Sequence, residues 1–237
     1  MKYRLLNEVL IEWNESSFED SDNVFLKSED IKKSLDKYFV YRLNKKEQIK
    51  IFGAYWPEYE KYKDKAWING KHVKLNDNGR TVDKFTPGEY KVYIEDINKI
   101  IDISYMFSEC KQLVFAFIPN SVTEIGELAF DSCSSLMNIT IPDSVTSIGW
   151  YAFSNCSGLT SVTIPDSVTE IGGFAFYKCD CLNSVTISGS VTYIGASAFT
   201  GCFGLTSITI PNSITYIGES AFKNCRNLKT VYVEDIN

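Results

Sequence analysis

A single histidine, His72, is the only imidazole among 237 residues. A Ser-His or Cys-His nucleophilic pair would have to be built around it, since no other side chain supplies that general base. It lies in NGKHVKL, just after the tight-turn pair Asn69-Gly70, where an ordinary exposed strand histidine is expected. The chain also lacks a Walker loop, an HExxH helix and a GxSxG elbow, and its recurring Ile-Gly pairs read as turn glycines. Glu58 and Glu60 stand in PEYEKYKDK, where mixed charge suits a solvated face. No catalytic residue, cofactor site or metal site is expected.

Long apolar runs are missing too. No stretch reaches the roughly eighteen apolar residues that a membrane span needs. Asn7, Glu8, Glu12 and Asn14 interrupt the opening MKYRLLNEVLIEWNESSFED, so it has no apolar core of an export signal. As written, the chain reads as cytoplasmic. Basic residues are scarce in one half only: residues 1–117 carry twenty acids and twenty bases, but 118–237 carry ten acids and four bases. The net charge of −6 therefore belongs to the second half, and nucleic acid is disfavoured as its partner. With 44% hydrophobic and 23% charged residues the composition is that of a folded chain.

What is present is repetition. PDSVTSIGWYAFSNCSGLTSVTI (142–164) is followed at once by PDSVTEIGGFAFYKCDCLNSVTI (165–187). Ile118, Ile141, Ile164, Ile187 and Ile210 recur at steps of 23 residues, as do Gly126 to Gly218 and Phe130 to Phe222. A strict period of this length is the mark of a solenoid. In each unit LTSVTI alternates as a short strand that Pro165 or its equivalent ends. Val168, Ile171, Ala175 and Phe176 then point inward from a compact helical or 3-10 turn. One such coil cannot cover both of its apolar sides, so stacking is expected, with equivalent strands in a parallel sheet roughly 4.8 Å apart. The unchanging letters are then core and turns, and the changing letters face water.

The phrase IPDSVTSIGWYAFSNCSGLTSVTI resembles the BspA-type leucine-rich repeat, IPxSVTxIGxxAFxxCxxLTS, in register over residues 113–237. ISYMFSECKQL (103–113) keeps Phe107, Cys110 and Leu113 in phase without the Ile-Gly pair and reads as an atypical first coil. Ile187-Ser188-Gly189 departs from Ile-Pro-Asp, and a looser turn is expected there. The resemblance implies a leucine-rich-repeat solenoid of the α/β class, non-enzymatic binding, and adhesion to host protein or glycan in surface-displayed members. Cell-surface location is implied by the family alone.

Cys110, Cys133, Cys156, Cys179, Cys202 and Cys225 share the 23-residue step, and Cys181 stands out of phase. Paired ligands two to four residues apart, the usual zinc spacing, are missing. Neighbouring ladder cysteines would carry parallel Cβ vectors, a poor geometry for disulfides, so buried free thiols are expected.

The domain boundary expected from these patterns separates 1–97, a small β-rich α+β module, from the solenoid 98–237. KSEDIKKSLDKYF (27–39) predicts a short amphipathic helix capped by Ser28, with Ile31, Leu35 and Phe39 on one face. Asn69-Gly70, Asn78-Gly79 and Pro87-Gly88 predict turns, the last of type II, and Glu89 to Ile94 alternates as a strand. A capping role for this module is favoured, because Phe115 and Phe117 take outward positions in the first coil.

Two groups of positions are candidates for partner binding. The first is the outward face of the sheet: Ser161, Thr163, Ser184, Thr186, Ser207 and Thr209, with Asn138 and Thr140 before them and Thr230 and Tyr232 after. These hydroxyls also simply suit exposed strands. The second is a set of aromatics where other repeats carry small or polar residues: Trp150, Tyr151, Phe174, Tyr177, Tyr193, Phe203 and Tyr216. They fit a protein-binding patch or packing between coils. The final coil, LKTVYVEDIN, offers an open strand edge, so homo-oligomerisation through it is the alternative to a binding scaffold.

Overall fold

The computed structural model describes residues 2–6, 9–13 and 38–234. The chain divides into two compact units, 1–36 and 37–237. In the first unit β1 (Lys2–Leu6) pairs antiparallel with β2 (Val9–Trp13), Lys2 opposite Trp13 and Leu6 opposite Val9. Most of the helix expected over 27–39 lies outside the described residues. Its last two positions, Tyr38 and Phe39, open a strand instead, because YFVYRL is an aromatic and β-branched run whose alternate residues are buried.

That strand, β3 (Tyr38–Leu43), begins the second unit. It is followed by α1 (Tyr59–Tyr62), β4 (Ala66–Ile68), β5 (Lys71–His72), β6 (Gly88–Ile94) and β7 (Leu113–Ala116). The hairpin turn between β4 and β5 is the expected one: Asn69 and Gly70 have φ of 47° and 78°, both left-handed. Gly88 opens β6 at φ 154° and does not close a type II turn, which would need a φ near 80°. The sheet runs β5-β4-β6-β3-β7 with antiparallel pairing, then adds Asn138–Ile139 parallel to β7. One sheet thus passes from the β-rich region into the repeats.

Each repeat is one coil with three hydrogen-bonded sides. On the first, two-residue strands from Glu124–Ile125 to Tyr216–Ile217 form a five-stranded parallel ladder in register. The second holds the longer strands, Ser161–Ile164 beside Ser184–Ile187 and Ser207–Ile210 beside Thr230–Val233. On the third, the N–H of Phe130, Phe153, Phe176 and Phe199 donates to the carbonyl of the alanine one coil later, at 2.7–2.8 Å.

This third side is where helical or 3-10 turns were expected. Its local hydrogen bonds do keep the three-residue spacing of a 3-10 turn, as from Ser154 N–H to the Tyr151 carbonyl and from Cys156 N–H to the Phe153 carbonyl. Winding stops because two residues per coil are left-handed: Tyr151 and Asn155 in one coil, Phe174 and Lys178 in the next, with φ of 55–57°. The result is a chain of turns.

The Ile-Gly glycines have another purpose than turning. Gly172 is not left-handed, but a Cβ there would lie 2.7 Å from the Gly149 carbonyl carbon, and one on Gly218 would lie 2.3 Å from the Ala196 nitrogen. Glycine is required because neighbouring coils touch backbone to backbone. At Ser188, where a looser turn was expected, the turn's own bond from Val191 N–H is 3.3 Å against 3.0–3.2 Å at the prolines, while the Ser188 hydroxyl donates to the Pro165 carbonyl at 3.0 Å and ties the coil to its predecessor.

The core is a set of ladders along the stack. Val168, Ile171, Ala175, Phe176 and Leu182 are fully buried, as are their equivalents in adjoining coils. Phe107, Phe130, Phe153, Phe176, Phe199 and Phe222 stack face to face at 5.1–5.5 Å. Phe39 lies 4.9 Å from Phe107, tilted, and prolongs that row. The adjoining segment also meets the first coil. Gly53 N–H donates to the Met106 carbonyl at 2.7 Å, the bond that a preceding phenylalanine makes in later coils. Gln112 receives Lys50 N–H and donates to the Gln48 carbonyl.

Candidate functional site

Phenylalanine and cysteine ladders occupy the interior and leave little there for chemistry. Each ladder thiol from Cys133 to Cys225 donates to the carbonyl of the phenylalanine one coil earlier, at 3.0–3.2 Å. Burial raises all of these thiols, and Cys110 is pushed up to about 12. A protonated, bonded thiol is a poor nucleophile and a poor metal ligand. All seven cysteines are free, and Cys181 alone is exposed. His72 is exposed on β5, its Nε2 2.7 Å from the Asp64 carbonyl and its ring edge-on to Trp67.

The outward face of the longer strands is polar. Thr163, Ser184, Thr186, Ser207 and Thr209 are exposed and Ser161 is half-buried. Register places Ser161 beside Ser184, Thr163 beside Thr186 and Thr209 beside Tyr232. At the turn that follows, Asp143, Asp166 and Ser188 border a shallow groove open to solvent.

The aromatic candidates fall into separate groups. Trp150, Tyr151, Phe174 and Tyr177 come together on the turn side of two adjacent coils. Tyr151 and Phe174 stack at 4.7 Å, Trp150 lies 6.5 and 6.4 Å from them, and Tyr177 meets Phe174 edge-on at 5.6 Å. Three of the four are half-buried between coils, whereas Trp150 is 56% exposed. Its ring covers Gly173, where a Cβ would sit 3.4 Å away, so the indole takes the space that the next coil leaves empty. Tyr193 and Tyr216 form a second pair, stacked at 5.0 Å on the short-strand ladder. Phe203 carries the Arg226 guanidinium at 5.4 Å, and Tyr232 stands on the last strand.

Sequence reasoning missed the polar frame of the first group. Tyr105 donates its hydroxyl to Glu127 at 2.8 Å, and Leu128 N–H donates to the Trp150 carbonyl, which puts Glu127 on the coil beside Trp150. Asp131 accepts from the Ser132 hydroxyl and the Asn155 amide. The usable signal was the 23-residue step, since Glu127, Trp150 and Gly173 share one position in the repeat.

A protein-family model described as the BspA type leucine-rich repeat region matches residues 99–232 in six copies. Among solved structures, a leucine-rich repeat protein from Bacteroides ovatus is 33% identical, with a TM-score of 0.54, over 56% of this chain and 35% of that one. The leucine-rich repeat protein of T. pallidum is 34% identical, with a TM-score of 0.49, over 50% of this chain and 57% of that one. The pneumococcal vaccine antigen PcpA shares the fold at 20% identity and a TM-score of 0.50, over 62% of this chain and 35% of that one. The chain thus spans less than two thirds of the length of each. No curated protein matches it. Among the described residues no helix is long and apolar enough to cross a membrane.

Proposed function

The chain belongs to the BspA-type leucine-rich repeat family, and from that premise we propose that it is a non-enzymatic scaffold for binding another protein through the aromatic row on the turn side of its coils. One observation carries the reading: Trp150 is 56% exposed beside the half-buried rings of Tyr151 and Phe174, 6.5 and 6.4 Å away. Large exposed aromatics are the usual anchors of interfaces, because they offer much contact area for few rotatable bonds. The hydroxyl carpet of the sheet has its exposed aromatic at the end, Tyr232 on the last strand, and offers no such group along Ser161, Thr163, Ser184, Thr186, Ser207 and Thr209. Adhesion at a cell surface through a host protein is a finer form of the same proposal, and contact with a glycan is the alternative ligand for the same row. Residues 38–97 serve in this reading as the cap that starts the stack, the role that Phe39 and Gly53 support.

The test is a pair of variants, Trp150→Ala and Thr163→Ala, compared with the unaltered chain for the proteins each retains after cross-linking. Loss confined to Trp150→Ala, with an unchanged melting temperature, supports the turn-side row. Loss confined to Thr163→Ala moves the site to the sheet and overturns the proposal.

A second reading, assembly through the last coil, is favoured by the exposure of Ile217, Val231 and Val233 at 44%, 51% and 69%. Val231→Lys would then lower the solution mass measured by light scattering, and an unchanged monomer mass would exclude it.

A further inference from the structure

The coils that carry the aromatic row are acidic throughout. From Gln112 to Tyr177 there are six carboxylates, Glu124, Glu127, Asp131, Asp143, Asp166 and Glu170, and neither a lysine nor an arginine. Glu127 is exposed on the coil beside Trp150, and Tyr105 orients its carboxylate. Asp131 follows on the same coil, its N–H donating to the Leu128 carbonyl and its carboxylate held by Ser132 and Asn155. The protein already sets a cation on this row where a base first appears: the Lys178 ammonium lies over the Tyr177 ring at 5.2 Å.

We propose that the partner is a basic polypeptide, and that an arginine or lysine of it lies on the Trp150 indole with Glu127 as counter-ion. The inference rests on the reading of this row as the contact face and adds the chemical class of what it contacts. Tryptophan is the strongest of the aromatic cation acceptors, and a carboxylate beside it adds attraction that salt screens. Guanidinium is favoured over ammonium because it can stack on the ring and fork to a carboxylate at once. Anionic partners on this row meet repulsion from Glu127 and Asp131, with no base on these coils to offset it.

The experiment follows the Trp150 indole N–H of the full chain by NMR, assigned through Trp150→Phe, during titration with three probes. These are a peptide of Arg-Ser-Gly repeats, the same peptide with Glu for Arg, and a neutral glucose oligosaccharide. The expected result is a shift with the arginine peptide alone, weakened by added salt, and weakened about threefold by Glu127→Gln. Glu127 is exposed, so that variant keeps its fold, and an unchanged melting curve verifies it. A shift with the glutamate peptide or the sugar and none with the arginine peptide overturns the charge assignment, while the row stands as a contact face. Silence of all three probes overturns both.

Discussion

The two ends of the repeat stack carry similar letters in different surroundings. At the first coil Ile103, Met106, Phe107 and Leu113 are closed off, with Phe39 and Gly53 against them. At the last coil Ile217, Val231 and Val233 lie open, although Ile171, Val162 and Ile164 at the same repeat positions are 0–3% exposed. Burial in this fold is therefore a property of having a neighbour, and a coil contributes stability only in company.

Identical substitutions at the two kinds of coil break this comparison most sharply. Ile171→Ser opens a cavity and strands a hydroxyl in the interior, and should cost about 4 kcal/mol in urea unfolding. Ile217→Ser, at 44% exposure, should cost under about 1 kcal/mol. Next in size is the phenylalanine row. Phe39→Ala leaves Phe107 bare and should cost about 3 kcal/mol, whereas Phe222→Ala, already half-buried at the last coil, should cost about half of that.

Alkaline pH separates interior from end through the thiols. Burial raises the Cys156 thiol, so the folded chain keeps a proton that the unfolded chain releases above the ordinary thiol value of about 8.5. Stability is intact below that pH and falls as pH rises past it, by about 1.4 kcal/mol per buried thiol per pH unit. Cys156→Ser should lessen the slope of melting stability against pH between 9 and 10 (about one unit). Cys225→Ser should lessen it less, since that thiol is shifted less and lies in the last coil. The smallest effect is a gain. Lys178 is left-handed at φ 55°, where Asn155 and Gly201 stand one coil to either side. Lys178→Asn should raise stability by about 0.5 kcal/mol in the same urea assay.

The phenylalanine, cysteine and leucine ladders were legible in the sequence because a strict 23-residue step makes any buried letter its own neighbour. The same step made the Tyr193–Tyr216 stack readable, since those residues are one coil apart. The glycine row was visible but its reason was not: backbone contact between coils leaves no mark that distinguishes it from a turn. The left-handed Tyr151 and Phe174 were hidden because aromatic residues rarely adopt that conformation, and hydrogen bonding between coils holds them there. The segment 48–53 has no repeat letters at all. It meets the first coil through backbone groups and Gln112, which any sequence of the right shape could supply. For the site, each aromatic was legible singly, but the Glu127 beside Trp150 needed the coils to be laid side by side.

Native-state amide hydrogen exchange at Phe107, Phe153, Phe199 and Phe222 tests most directly that a coil is secured by its neighbour. The first three N–H groups donate to the following coil, whereas among the described residues the Phe222 N–H has no partner. The account predicts slow exchange at Phe107, Phe153 and Phe199, set by global opening, and fast exchange at Phe222. Protection of Phe222 equal to that of Phe153 would contradict it and would mean that the last coil is covered in solution.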